Sequence, residues 1–331
     1  MKPAIRFFAP ALAMLWLGSA TAQTAPRAEG IFSAVVENDS FGPSDSHYTH
    51  GMLLSYLHER NEEPRWLKAL HRYLPLQPAA GLDGQPDVRT EFSLGQSIFT
   101  PVDIASRTPD AHDRPYAGWL NLSAGVIVTN GNLQERLALG VGIVGPASQG
   151  ETVQTNWHHL IGATHPAGWD YQLHDEPTLE LIYERMWRTD KTALGPLQQQ
   201  WMWHGGAALG NAWTYANAGA TFRFGSIPDD YGVPRIGPAL PGSGYFRPGN
   251  GLYGFAGFDA RWVLRNIFLD GNSFRDSPSV TKRNLVGDLQ VGAVWMLSRW
   301  RLTLTHVWRS KEFHWQTKSD TFDALSASFL F

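Results

Sequence analysis

The chain has 331 residues with no Cys, 33 Gly, 21 Pro and 14 Trp, and charged residues make up 17% of it, against roughly 25% in an ordinary soluble domain. A formal net charge of −3 gives no cationic excess for nucleic acid, the apolar and aromatic content excludes disorder, and the absence of Cys excludes a disulfide framework or thiolate zinc centre. Beyond the N-terminus no run of about 18 apolar residues occurs, which excludes a helical membrane protein and leaves a β-rich domain, soluble or in a membrane.

Residues 1–22 read as a secretory signal peptide: Lys2 and Arg6 form a basic start, Phe7 to Leu17 an apolar core too short to span a bilayer, and Ala20-Thr21-Ala22 a small-residue cleavage site. The mature chain is then 23–331, exported, with one domain.

Along the mature chain the recurring pattern is alternation. Arg301-Leu302-Thr303-Leu304-Thr305-His306-Val307-Trp308 and Thr178-Leu179-Glu180-Leu181-Ile182-Tyr183-Glu184 each put apolar and polar groups on opposite faces, as strands do. Candidate strands lie near 30–38, 50–58, 90–99, 116–129, 133–144, 177–187, 198–209, 215–224, 252–264, 285–297, 299–310 and 321–331. About twelve strands of this length, an even number, predict an all-β fold: a transmembrane antiparallel β-barrel of the bacterial outer membrane. Tight turns at Asn130-Gly131-Asn132 and Ser298-Arg299, aromatics near strand ends, and the terminal Phe331 agree with it. A soluble β-sandwich or jelly roll is the competing fold. Two long connections, 59–88 and 225–251, are rich in Pro and Gly, and the first holds a short amphipathic helix candidate at 64–74.

In an up-and-down barrel with a periplasmic N-terminus, connections after odd strands face outward. The irregular polar stretches 37–51, 100–115 and 145–176 follow strands one, three and five, so all three converge on the outer rim. In the first, Glu37-Asn38-Asp39-Ser40-Phe41-Gly42 and Asp45 precede His47-Tyr48-Thr49-His50-Gly51. Carboxylates and amides near a turn suit Ca2+; equally, they suit an Asx-turn that closes the hairpin. In the second, Arg107 and Arg114 suit a phosphate or oxyanion, while Asp113 beside Arg114 suits a structural loop pair. In the third, Gln154 and His158 stand four apart and share a face if the stretch is helical. His158 is then a candidate general base, or a surface histidine. A hard-cation site, a cationic side chain and an imidazole on one rim together suggest ester hydrolysis by an activated water.

These stretches resemble the outer-membrane lipid A 3-O-deacylases, the LpxR-type family. The matching elements are Glu37-Asn38-Asp39, Tyr48-Thr49-x-Gly51, Gln96-Ser97-Ile98-Phe99-Thr100-Pro101, Asp113-Arg114-Pro115-Tyr116-Ala117-Gly118-Trp119, Gly142-Ile143-Val144-Gly145-Pro146 followed by Val153-Gln154 and His158, and Gly168-Trp169-Asp170-Tyr171-Gln172. The resemblance implies a barrel in the Gram-negative outer membrane, in contact with its lipids. It also implies Ca2+-dependent hydrolysis of the 3'-linked acyloxyacyl ester of lipid A, the anchor of lipopolysaccharide, by a phospholipase A2-like mechanism. Carried over, Asp39 holds the calcium with backbone carbonyls, Asn38 and Thr49 line the site, His158 activates water beside Gln154, and Arg107 holds substrate or oxyanion. Two positions depart from the family pattern: Ser106 stands where a lysine would precede Arg107, and Thr164 where an acidic residue would follow His158, with Asp170 or Asp175 as candidate substitutes. The competing functions are a non-enzymatic barrel, porin or structural, and an outer-membrane phospholipase.

Overall fold

The structure, a computed structural model, describes residues 30–39, 47–60, 64, 65, 68, 69, 72, 73, 87–232 and 244–331. The signal peptide expected at 1–22, the residues Ser40-Phe41-Gly42 and Asp45, and most of the helix expected at 64–74 lie outside the described residues.

Among the described residues the sheet consists of β1 (Ile31–Asn38), β2 (His47–Leu57), β3 (Asp87–Thr100), β4 (Ala117–Asn130), β5 (Leu133–Val144), β6 (Glu176–Arg188), β7 (Thr192–Leu194), β8 (Leu197–Gly210), β9 (Trp213–Gly225), β10 (Gly251–Asn266), β11 (Leu285–Leu297), β12 (Trp300–Arg309) and β13 (Asp320–Leu330). Each long strand pairs antiparallel with its chain neighbours, β1 pairs with β13, and β6 pairs with β8. The result is a closed, up-and-down barrel of twelve long strands. The three-residue β7 only extends β8 beyond the wall. The helices α1 (Gly150–Ile161) and α2 (Ile267–Asp270) accompany the sheet. Both ends of the described barrel meet at one mouth, where the Phe331 amide donates to the Gly30 carbonyl at 3.1 Å. Connections 39–46, 101–116 and 145–175 therefore leave from the opposite mouth.

The faces are inverted relative to a soluble sheet. On β12, Leu302 and Leu304 are 38% and 59% exposed, while Arg301, Thr303 and Thr305 are 0%, 3% and 1% exposed. A leucine stripe outside and a guanidinium inside suit lipid, not water, around the wall; this excludes the soluble sandwich. Alternation over ten residues suffices to specify it, because a one-residue slip would turn every leucine inward.

The lumen is filled. Arg309 forms a two-pronged pair with Asp288, Nε and Nη2 each 2.9 Å from a carboxylate oxygen, and Arg261 reaches the same carboxylate at 3.0 Å. Arg136 bridges Glu91 at 2.7 Å and Glu184 at 3.0 Å. Arg223 pairs with Asp230. The mouth at the termini is stoppered by Tyr231, Tyr245 and Phe246 of the β9–β10 connection, the other by Phe268 of α2, whose ring stacks on Phe99 at 4.2 Å.

Candidate active site on the outer wall

Strand parity places the site. The Tyr48 ring packs in the lumen on Phe99 and Phe322, and its hydroxyl donates to Glu37 Oε2 at 2.9 Å, so Glu37 points inward. Asn38, the next residue, therefore points out. Trp119 also points inward, its ring 5.8 Å from that of Phe268. Gly118 beside it faces out.

The helix α1 lies against that outward face. A 3-10 turn, Pro146–Ser148, precedes it, and Glu151 sits in its first turn, where the helix dipole favours a carboxylate; His158 and His159 lie in its last. Gly162, at φ +70°, ends it and donates to the His158 carbonyl, a left-handed cap that suits glycine. Close approach is possible because two glycines meet: a Cβ on Gly150 would lie 2.9 Å from the Gly118 Cα, and one on Gly118 3.0 Å from the Gly150 Cα. Gln96 Nε2 donates to the Ser148 carbonyl at 2.7 Å and fastens the helix start to β3.

The face that α1 turns to the wall carries Gln154 and His158, 2% and 4% exposed, while His159 is exposed. Ile98, Ile104, Tyr116 and Trp169 form an apolar cluster under it, with Val153 against them. Trp169 Nε1 donates to Gln154 Oε1 at 2.9 Å. Gln154 Nε2 is buried and has no hydrogen-bond partner among the described residues. A buried amide donor in that state is rare and calls for a ligand or water. His158 Nδ1 lies 2.5 Å from the Thr164 backbone carbonyl. A carbonyl only accepts, so Nδ1 carries the proton and Nε2 keeps a lone pair in the neutral ring. This is the tautomer a general base needs.

From α1 a ladder of neighbours leads to the end of β1. Ile98, under the helix, stands opposite His50, and His50 opposite Asn38. Asn38 Nδ2 and His50 Nδ1 are 3.5 Å apart. Asp39 and Thr49 flank this last rung, both buried, and Thr49 Oγ1 lies 2.6 Å from Thr100 Oγ1. One buried carboxylate among hydroxyl, amide and backbone oxygens is the donor set that a hard dication takes. Among the described residues no group of three or more His, Cys, Asp or Glu side chains is placed to hold a metal ion, so a cation beside Asp39 would rest largely on amide, hydroxyl and backbone oxygens.

Arg107 stands apart. It is exposed and makes no hydrogen bond or ion pair among the described residues. Its loop is nevertheless tied to the segment after α1: the Ala167 amide donates to the Ile104 carbonyl at 2.8 Å, and a Cβ on Gly168 would lie 3.0 Å from the Ser106 carbonyl oxygen. Arg114, weighed as an anion ligand from sequence, is fully buried against Glu312 at 3.3 Å and under the lumen-facing Phe99 ring, away from the outer wall, with Nε and Nη2 lacking a hydrogen-bond partner among the described residues. Asp113 caps the Val102 and Arg114 amides at 2.7 Å each. Burial alone would raise the Asp113 carboxyl, but hydrogen bonds from His47 and these amides hold it below the usual carboxylate range. Glu312 is likewise opposed by burial and held low by Arg114, Arg309 and Arg261. Asp175 spends its carboxylate on the Ala147 amide at 2.7 Å and Asp170 is exposed, while His158 Nδ1 meets the Thr164 main chain.

Sequence reasoning did not single out this carbonyl, which no residue type advertises, or Trp169 as the ring that orients Gln154. Gln96 and Trp169 did stand in the motifs that carried the resemblance.

A lipid-facing barrel with a filled lumen and a buried polar cluster on its outer wall is an outer-membrane protein whose candidate site opens sideways. The family described as outer membrane protein LpxR matches residues 7–331, and the chain belongs to that family. Among solved structures, LpxR from Salmonella typhimurium superposes with a TM-score of 0.72 at 20% identity, covering 91% of this chain and 100% of that one; it shares the fold. The β domain of the Bordetella autotransporter BrkA (TM-score 0.42, 10% identity, 92% and 99% covered) and an outer membrane channel from Pseudomonas putida (0.41, 12%, 95% and 100%) are far more distant. No curated protein matches the sequence.

Proposed function

We propose that this outer-membrane protein is a lipid A 3-O-deacylase that hydrolyses the 3'-linked acyl ester with the help of calcium. The observation that carries the reading is the His158–Thr164 pair on the outer wall: an imidazole whose tautomer is set by a backbone carbonyl, beside an unspent amide donor on Gln154. The placement suits a lipid, which reaches an outer-wall site laterally without entering a lumen crossed by Arg261, Asp288 and Arg309. That filled lumen also counts against a porin.

The geometry supports the following steps for this chain's residues. His158 Nε2 takes a proton from water while the Thr164 carbonyl holds Nδ1–H and steadies the imidazolium. The hydroxide adds to the ester carbonyl carbon, and Gln154 Nε2 donates to the oxygen on which negative charge develops. The carbon–oxygen bond to the sugar then breaks, and the imidazolium returns its proton to the departing sugar oxygen. Water thus ends split between the free fatty acid and the sugar hydroxyl. Asp39, with backbone oxygens and the neighbouring Asn38 and Thr49, would hold a calcium ion, which supplies positive charge to polarise the ester. Arg107, exposed at the lip with its donors unspent, suits a phosphate on the substrate.

The test is the mass spectrum of lipid A from outer membranes that contain the protein, with calcium and with a chelator. Loss of the 3'-linked acyl mass with calcium only, and its retention with Asp39→Ala, is expected. Unchanged lipid A with folded, calcium-supplied native protein overturns the reading.

A further inference from the structure

On the same rim as the candidate site lies a cavity of about 410 Å³ lined by Ala111, Asp270, Ser279, Val280, Thr281 and Trp315, none of them residues of that site. We infer that this cavity is a saccharide-binding site, and that it holds the sugar portion of the glycolipid while its acylated part lies against the outer wall.

Its height comes from the ladder that carries it. The regular β11–β12 pairing ends at Asp288 opposite Arg309. Contacts then continue upward: the Arg283 amide donates to the Glu312 carbonyl at 2.7 Å, Lys282 bridges Phe313, and the His314 amide donates to the Thr281 carbonyl at 3.0 Å. These contacts carry Phe313, four residues on, beyond the end of β12 at Arg309. Trp308, 42% exposed on the strand itself, stands at the level of an interfacial aromatic. Trp315, 64% exposed, lies beyond it, where lipid no longer explains an indole in solvent.

The indole is held. His112 packs on it at 4.9 Å and 70°, and His112 is itself tied to Asp110 at 3.2 Å. Around it the lining is polar. The Ser279 and Thr281 hydroxyls are exposed and make no hydrogen bond among the described residues. Asp270 accepts from Lys282 at 2.9 Å and from the Asn266 amide at 2.9 Å, so its carboxylate is fixed in place. A flat aromatic face beside paired hydroxyls and a fixed carboxylate matches the two surfaces of a sugar, its C–H face and its hydroxyl edge. An acyl chain finds no apolar wall here, and a free phosphate meets the Asp270 carboxylate.

Saccharide binding stands by itself; its service to catalysis rests on the deacylase reading above. The experiment separates the two. Lipid-free core oligosaccharide, released from lipopolysaccharide by mild acid, is titrated calorimetrically into the full-length protein in detergent, native and with Trp315→Ala or with Ser279→Ala and Thr281→Val together. Native protein is expected to bind, with affinity lower by about ten-fold or more in either variant. In parallel, Trp315→Ala should raise KM for lipopolysaccharide that carries the core oligosaccharide and leave the turnover of core-free lipid A unchanged. Absence of oligosaccharide binding by native protein, or equal binding by the folded variants, overturns the site. Oligosaccharide binding in a protein that deacylates nothing keeps the site and fails only the deacylase reading.

Discussion

Two regions of this barrel bury polar side chains, and they differ in how those groups are spent. In the lumen, Asp288 is clasped by Arg309 and Arg261, and Arg136 by Glu91 and Glu184. In these pairs charge satisfies charge, and burying it serves the wall. On the outer wall the buried groups under α1 meet main chain and amide rather than opposite charge: His158 holds one ring nitrogen to a carbonyl and Gln154 keeps a donor without a partner among the described residues. Burial by itself therefore says little about function; a buried polar atom left with valence to spare says more.

Breaking a lumen pair should have the largest energetic effect. Asp288→Ala strands two guanidiniums, and unfolding by urea in lipid is expected to need about 3–5 kcal/mol less free energy. Lipid A hydrolysis by the fraction that stays folded should persist. Equal stability of the variant and the native protein would remove the contrast from the lumen side.

On the outer wall the expectation reverses. Gln154→Ala should leave the urea midpoint nearly unchanged and lower the turnover number by about 10²–10³, the loss typical of one oxyanion donor. A rise in KM alone would assign Gln154 to substrate binding instead. Gly118→Val sharpens the same point from the strand side. Its side chain meets the Gly150 main chain, where even a Cβ would lie 3.0 Å from the Cα, and a shift of α1 by about 1 Å is enough to cost about 10² in rate. Heat-modifiable migration of the barrel should stay native.

The smallest effect is in acid. Asp113 and Glu312 are held below the usual carboxylate range by the cationic and amide groups around them. Their contribution to the rim is present above the ordinary carboxylate pKa and is lost as pH falls through the depressed folded value. Limited proteolysis should show the 101–116 and 310–319 connections opening only well below pH 4, about the ordinary value. Opening already near neutrality would contradict the pairing.

Much of this was legible in the sequence. All twelve long strands stand where alternation predicted them, because in a barrel each residue meets lipid or lumen and nothing between. The ends were less legible. β2 starts at His47 rather than near 50 because a bulge between Tyr48 and His50 breaks the alternation. β3 starts at Asp87 rather than near 90, since a carboxylate that reads as a turn residue is held inside by Arg89 at 2.9 Å and Tyr245 at 2.9 Å. The exposed β7 carries no burial pattern from which to read it. At the candidate site, strand parity placed the three loops on one rim, and the four-residue spacing of Gln154 and His158 placed them on one face of α1. The partner of His158 was illegible because it is main chain, and that of Arg114 because Glu312 lies 198 residues away along the chain.

The most direct test of the outer-wall account is the rate of 3'-acyl release from lipid A in calcium-containing vesicles by native protein and by His158→Ala. Both proteins are first shown to share the heat-modifiable migration and urea midpoint of the folded barrel. The account predicts that His158→Ala loses activity by about 10²–10⁴, the span of a general base. Native-like hydrolysis by the folded variant would contradict it.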